Sequence, residues 1–364
     1  MPFGPFALQW RAPSPNPPKP SPPPTGLTRT YVTTASGPLE LLSALPSQLD
    51  HSKPPLFFAH GGFGCAEVWT SYMQYFASKG YACYSMSYRG HGNSWYPGLW
   101  RMYFTPRNTV GDDLVAGIKY VEELEKARRG GNVEDAKVVL IAHSAGGALS
   151  QYILSRGLVK VQGFCMLAAV PGFGSWKVYR FWALTALIHF PYRLYHPRYV
   201  LATTQQVHDA FFTPSTPISV VRSLERLLSP YESMLWPIQA LFRFVTGPDV
   251  LSSITRWGVP KPTSSNTKIS PESSNSVNSR FLVLAAEHDV LCTPAILEDV
   301  AQRYRAAFRE LVSNKKIDGV SKDDLRGNEN GVSFRVVPGL GHHLQNHVEW
   351  ENGAKVILEW VDAL

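Results

Sequence analysis

The strongest constraint on the fold is an alternation of short, uninterrupted apolar runs with longer stretches of helical periodicity. The runs Leu56–Ala59, 81–86, 138–141, 164–167, 281–284 and 332–337 each have the length of a strand buried on both faces. Residues 67–78, 112–126, 145–155, 294–311 and 348–361 read as helices between and after them. Consecutive parallel strands need a crossover, and a helix supplies it. The pattern therefore predicts an α/β chain with a mainly parallel sheet flanked by helices on both faces. An earlier pair of runs, 30–34 and 39–45, joined through Ser36-Gly37-Pro38, predicts an antiparallel hairpin at the edge of that sheet. With 364 residues, 44% of them hydrophobic, the chain can bury a large core, which excludes disorder throughout.

Two regions break the alternation. Ten of the first 24 residues are proline, so residues 1–29 are expected to form an extended, disordered leader. Between Pro171 and Arg280, residues 172–257 carry sixteen aromatic side chains and frequent prolines, the composition of an inserted helical cap cut into short helices. Residues 258–279 should be a flexible return loop, because twelve of the seventeen positions 263–279 are Ser, Thr or Asn and bury too little apolar surface to offset ordering. The core is then assigned to residues 30–171 and 280–364.

The net charge of +7 invites a nucleic-acid reading until it is divided by region. Residues 1–29 hold three basic and no acidic side chains, residues 172–257 eight and four, and the remainder balances. No basic run lies along one element, so nucleic acid is not expected as a partner. The basic, aromatic stretch leaves an anionic substrate or a membrane surface open as its attractor. No segment approaches 18 uninterrupted apolar residues, so no transmembrane segment is expected. The first ten residues lack the basic start of a secretory signal, which predicts a cytoplasmic protein. Four scattered cysteines (Cys65, Cys83, Cys165, Cys292) form neither a disulfide framework nor a zinc cage and read as buried thiols.

The chemistry concentrates in residues 138–149, where a buried strand, Val138-Val139-Leu140-Ile141, runs through Ala142-His143 into Ser144-Ala145-Gly146-Gly147 and a helix. A serine in so tight a turn is held in a strained conformation, and small residues two before and two after it prevent collision. This is the context of a nucleophile elbow, with Ala142 where glycine usually stands. At this point the chain resembles the α/β-hydrolase superfamily, in its serine-nucleophile, esterase- or lipase-like branch with a helical cap, over roughly residues 30–364. His60-Gly61-Gly62-Phe63-Gly64 is similar to the family's oxyanion loop. The resemblance implies Gly62 and Ala145 N–H as oxyanion donors, with Phe63 as the substitute if the loop register differs. Ser87-Tyr88-Arg89-Gly90-His91-Gly92 looks like the family's structural arginine-glycine turn. The family places its acid after a late strand, which selects Asp289, with Glu287 as the fallback. Its base follows the last strand, which selects His342 in Gly341-His342-His343, with His343 as the competitor. His343 and His347 have helical metal-ligand spacing, yet no third ligand accompanies them.

The resemblance implies a hydrolase that cleaves an ester, lactone or thioester without organic cofactor or metal, and the aromatic side chains of the cap, expected to roof the pocket over Ser144, point to a lipophilic small molecule. Carbon–carbon bond hydrolysis and acyl transfer use the same residues, and a non-catalytic, receptor-like binding role belongs to a different class. Covalent labelling of Ser144 separates that last role from the enzymatic ones.

Overall fold

The computed structural model describes residues 12–18, 21–258, 279–321, 325 and 331–364. The strands are β1 (Thr28–Val32), β2 (Leu39–Ala44), β3 (Leu56–Ala59), β4 (Cys83–Met86), β5 (Val139–His143), β6 (Gly163–Leu167), β7 (Phe281–Ala286) and β8 (Val332–Val337). They form one eight-stranded sheet in the order β1-β2-β4-β3-β5-β6-β7-β8. β1 and β2 pair antiparallel with each other, as does β2 with β4, and every later pairing is parallel. The expected hairpin is thus the outer edge of an otherwise parallel sheet. Strands β3 to β7 are buried along their whole length, because helices cover both faces.

In chain order the helices are α1 (Thr70–Ser78), α2 (Leu99–Tyr103), α3 (Arg107–Arg128), α4 (Val133–Ala136), α5 (Ser144–Ser155), α6 (Trp176–Tyr179), α7 (Ala183–Tyr192), α8 (Thr204–Phe211), α9 (Ile218–Leu227), α10 (Leu235–Ala240), α11 (Gly247–Leu251), α12 (Pro294–Ser313) and α13 (Trp350–Val361). Helices α6 to α11 fall between β6 and β7, within the aromatic insert. Proline shortens them: Pro217 precedes α9, Pro248 opens α11, and Pro191 lies in the last turn of α7.

Register decides what the sheet can build. Ala59 of β3 pairs with Ala142 of β5, so the loop after β3 and the turn after β5 emerge side by side. Ala286 of β7 pairs with Val337 of β8, which does the same for the loops carrying Asp289 and His342. All four exits lie at the carboxyl edge of the parallel strands, where open α/β sheets place their crevice.

Two expectations need comment. The leader is not unpacked in its described part. Ser14 exchanges both backbone hydrogen bonds with Tyr96 at 2.8 Å, Leu27 is buried, and β1 already begins at Thr28. A proline-rich stretch makes no ladder of its own, so its remaining N–H and C=O groups are free to pair with a neighbouring loop. The return loop 258–279 lies almost wholly outside the described residues. All four cysteines are buried and free.

Candidate active site

β5 ends at His143 and α5 starts at Ser144 with no intervening loop, which forces Ser144 to φ 49°. That left-handed conformation costs an L-residue about 1–2 kcal/mol, and close packing holds it. A Cβ on Gly146 would sit 2.3 Å from the His60 carbonyl oxygen, and one on Gly147 2.3 Å from Ala169 Cβ. The small residues after the serine are therefore a steric requirement of the turn.

The turn aims Ser144 at His342. The Ser144 hydroxyl donates to His342 Nε2 at 2.9 Å, and His342 Nδ1–H donates to Asp289 Oδ2 at 2.8 Å. The other carboxylate oxygen of Asp289 accepts from the N–H groups of Leu291 (2.8 Å) and Cys292 (2.9 Å), fixing its plane. His342 and Asp289 are both buried. A serine, an imidazole and a carboxylate in this order have the chemistry to serve as nucleophile, proton acceptor and partner for an imidazolium.

The fallback residues are elsewhere. Glu287 is exposed and accepts from the Gly339 N–H at 2.8 Å, bracing the loop after β8. His343 turns away from Ser144: its N–H donates to the Phe211 carbonyl, and its Nδ1 accepts from the Asn346 side-chain amide at 3.1 Å. Burial, and then the adjacent His342, push the His343 imidazole down to about 3, so it stays neutral. His347 bonds to Glu349 and to the hydroxyls of Thr213 and Thr216. His143, next to the serine, donates from Nε2 to the His342 carbonyl at 3.0 Å. Burial, followed by the two neighbouring imidazoles His343 and His342, holds it well below the usual histidine range.

The glycine loop closes against the same point. A Cβ on Gly61 would meet His143 Nδ1 and Ser144 Cβ, each at 2.9 Å. His60 donates from Nδ1 to the Gly61 carbonyl and accepts the Tyr88 N–H at Nε2, and burial, then His91, keep it neutral. Phe63 is a second left-handed residue, at φ 60°. Both of its backbone groups are held by the insert: its N–H donates to Glu232 Oε2 at 2.9 Å, and its carbonyl accepts the Ser229 N–H at 2.7 Å. The Phe63 amide is therefore already committed. Among the described residues neither the Gly62 nor the Ala145 N–H has a hydrogen-bond partner, and both residues border one cavity with Ser144.

Sequence reasoning missed Glu232 and its partner. Glu232 is buried, receives the Ser233 N–H at Oε1, and faces His91 Nε2 at 3.2 Å. Burial alone would raise its carboxyl, but His91 and the two backbone N–H groups outweigh it and leave the group below its usual range. For His91 burial pulls down, while Glu232, the Arg89 carbonyl and Asp113 together raise it further. Both directions favour the charged pair, and both His91 ring nitrogens face acceptors, the Arg89 carbonyl and Glu232. The pair's signal in the sequence was faint: one of four acids in an aromatic insert, and a histidine inside a turn read as structural.

The cavity measures about 620 Å³. Gly62, Ser144 and Ala145 border it beneath walls that include Trp176, Tyr179, Trp182, Tyr199, Phe211 and Trp236, and Glu232 is the one carboxylate among its described lining residues. Asp289, Cys292 and His342 also offer ligand atoms within 4.8 Å of one another. They fit a cation poorly. Asp289 and His342 already bond to each other, and burial, then Asp289, drive the Cys292 thiol well above its ordinary range, so it remains protonated.

Comparison with known proteins agrees with this architecture. A thermophilic esterase from Thermogutta terrifontis is similar over 93% of this chain and 100% of its own, at 16% identity and a TM-score of 0.57. A carboxylesterase from Bacillus subtilis is similar over 93% of this chain and 92% of its own, at 16% identity and 0.55. An N-acyl homoserine lactone degrading enzyme covers 91% of this chain with 99% of its own, at 18% identity and 0.55. At these identities the likeness is one of fold. A family model described as "Alpha/beta hydrolase family" matches residues 56–352, from the first parallel strand past the histidine loop. The chain belongs to the alpha/beta hydrolase family.

Proposed function

We propose that the protein is a serine hydrolase that cleaves an ester, thioester or lactone of a lipophilic small molecule through an acyl-enzyme. The observation that carries this reading is the hydrogen-bonded chain from Asp289 through His342 to Ser144 at the wall of an apolar cavity. Ser144 Oγ attacks the carbonyl carbon while its proton passes to His342 Nε2, and Asp289 stabilises the imidazolium. The N–H groups of Gly62 and Ala145 receive the negative charge that develops on the carbonyl oxygen, and the Ala145 group gains from the positive end of the α5 dipole. Collapse of the tetrahedral species breaks the bond to the leaving oxygen or sulfur, which takes the proton from His342. A water then repeats the sequence on the acyl group and restores Ser144. The insert acts as a cap whose aromatic walls select the acyl portion.

The lactone-degrading and esterase neighbours support ester-type bonds as the first substrates to try. The test is labelling by a fluorophosphonate followed by turnover on acyl esters of graded length, lactones and β-diketones. Labelling at Ser144 with turnover of an ester-type substrate supports the reading. A folded protein that neither labels nor turns over is a binding member of the family, and turnover of β-diketones alone assigns carbon–carbon cleavage instead.

A further inference from the structure

The outer side of the insert is apolar where a soluble surface would be polar. None of the ten residues of α7 is buried. Leu184, Leu187 and Ile188 point outward with 78%, 76% and 67% of their surface exposed, a spacing of three and four that puts them on one helix face. Ala183 and Ala186, on the other side, line the cavity. A helix apolar on both faces belongs in a core or against lipid, and here only one face has a neighbour among the described residues. Around it Trp176, Tyr192, Leu194, Tyr195 and Phe242 are each more than half exposed, with the Trp176 and Phe242 rings in edge contact at 6.1 Å. Trp176 and Ile238 both line the cavity and reach the surface, so the cavity opens within this patch.

The fringe of the patch is mainly basic, and Asp299, which shares a groove with Trp176 and Phe242, is paired with Arg303 at 2.8 Å. Residues 172–208 contain Lys177, Arg180, Arg193 and Arg198 and no acid, and residues 233–248 contain Arg243 and no acid. Lys177, Arg180 and Arg243 are exposed. Tryptophan and tyrosine beside an apolar helix with a basic fringe are the composition of an element that lies in the headgroup region of a bilayer. A second copy of the chain fits less well, since a symmetric contact through this face would oppose the basic fringe to itself. No described helix is long and apolar enough to cross a membrane, which leaves attachment at the surface.

We propose that the outer face of α7 and the exposed aromatic residues beside it form a docking surface for an anionic lipid bilayer. Docking brings the mouth of the cavity against the lipid. The proposal concerns binding and stands whether or not Ser144 is a nucleophile.

The test is co-sedimentation of the full chain with vesicles of phosphatidylcholine alone and of phosphatidylcholine mixed with phosphatidylserine. The protein is expected to sediment with the mixed vesicles, more weakly as salt rises. A double variant, Leu187→Glu and Ile188→Glu, should weaken that binding roughly tenfold or more by removing apolar burial and adding repulsion. Neither residue lines the cavity, so its melting temperature and its rate on a water-soluble short-chain ester should stay unchanged. No sedimentation with mixed vesicles, equal sedimentation with both compositions, or binding indifferent to the double variant overturns the proposal. Sedimentation velocity supplies a further arm: a dimer that the double variant dissociates, together with no vesicle binding, assigns the face to a second copy and overturns it as well.

Discussion

Ser144 and Gly146 show how little latitude the turn from β5 into α5 allows. The left-handed serine is held because the chain two residues on packs so close to the His60 carbonyl that a Cβ on Gly146 would sit 2.3 Å from its oxygen. Gly146→Ala is therefore expected to destabilise the protein by about 2 kcal/mol or more, read as a lowered denaturant midpoint, because backbone must move to admit the methyl group. Ser144→Ala leaves that backbone intact and should lower turnover on the order of 10⁴-fold or more with the melting temperature preserved. Near-normal turnover by the folded variant would remove Ser144 from the reaction. The two acids of the 287–289 loop divide in the same assay. Asp289→Asn should lose about 10⁴-fold in kcat through the wrong imidazole tautomer, while Glu287→Gln, whose side chain accepts the Gly339 N–H and faces the exposed His288 at 3.6 Å, should retain it. Asp289 and His342 were chosen in sequence by their places after successive strands. The side-chain direction that separates His342 from His343 was not readable there, since it depends on the Phe211 carbonyl 132 positions away binding the His343 N–H.

At the level of elements, the sheet was legible because its strands are buried on both faces and so print as solid apolar runs. β3 and β8 have the bounds expected of them, and the hairpin is offset by two residues at its start because β1 is an edge strand with an alternating burial pattern. The short helix α2 was not anticipated. Its Leu99-Trp100-Arg101-Met102-Tyr103 buries only Met102 and lacks a periodic face, so tertiary contact rather than pattern defines it. The insert was legible as aromatic and broken by proline, but its packing was not, because the partners of Ser229 and Glu232 lie in the glycine loop some 165 residues earlier. Its cavity-facing rings make a specific expectation. Trp182→Ala and Trp236→Ala should shift the preferred acyl length, measured as ratios of kcat/KM across an ester series, while changing the rate of labelling by a small fluorophosphonate much less. Unchanged ratios would make these rings structural.

Across the whole molecule, the ion pair of His91 and Glu232 fastens the insert to the sheet, and it carries a signature in pH. His91 is raised above its ordinary 6.5, so its contribution is complete below that value and is lost as pH rises through the raised one. Glu232 is lowered from its ordinary 4.5, so its contribution is present above that value and is lost as pH falls through the depressed one. The melting-temperature difference between the wild type and His91→Gln should therefore be widest between 4.5 and 6.5 and shrink on either side. A difference flat in pH would show that the pair is not ionised. The same carboxylate also grips the Phe63 amide, so the insert helps to hold the glycine loop at its left-handed residue. Removal of the insert would strip Phe63 of both these backbone bonds, those to Glu232 and Ser229. Under the proposed function the insert is then a brace as well as a wall: the contacts that seat it over the cavity also clamp the backbone beside Gly62.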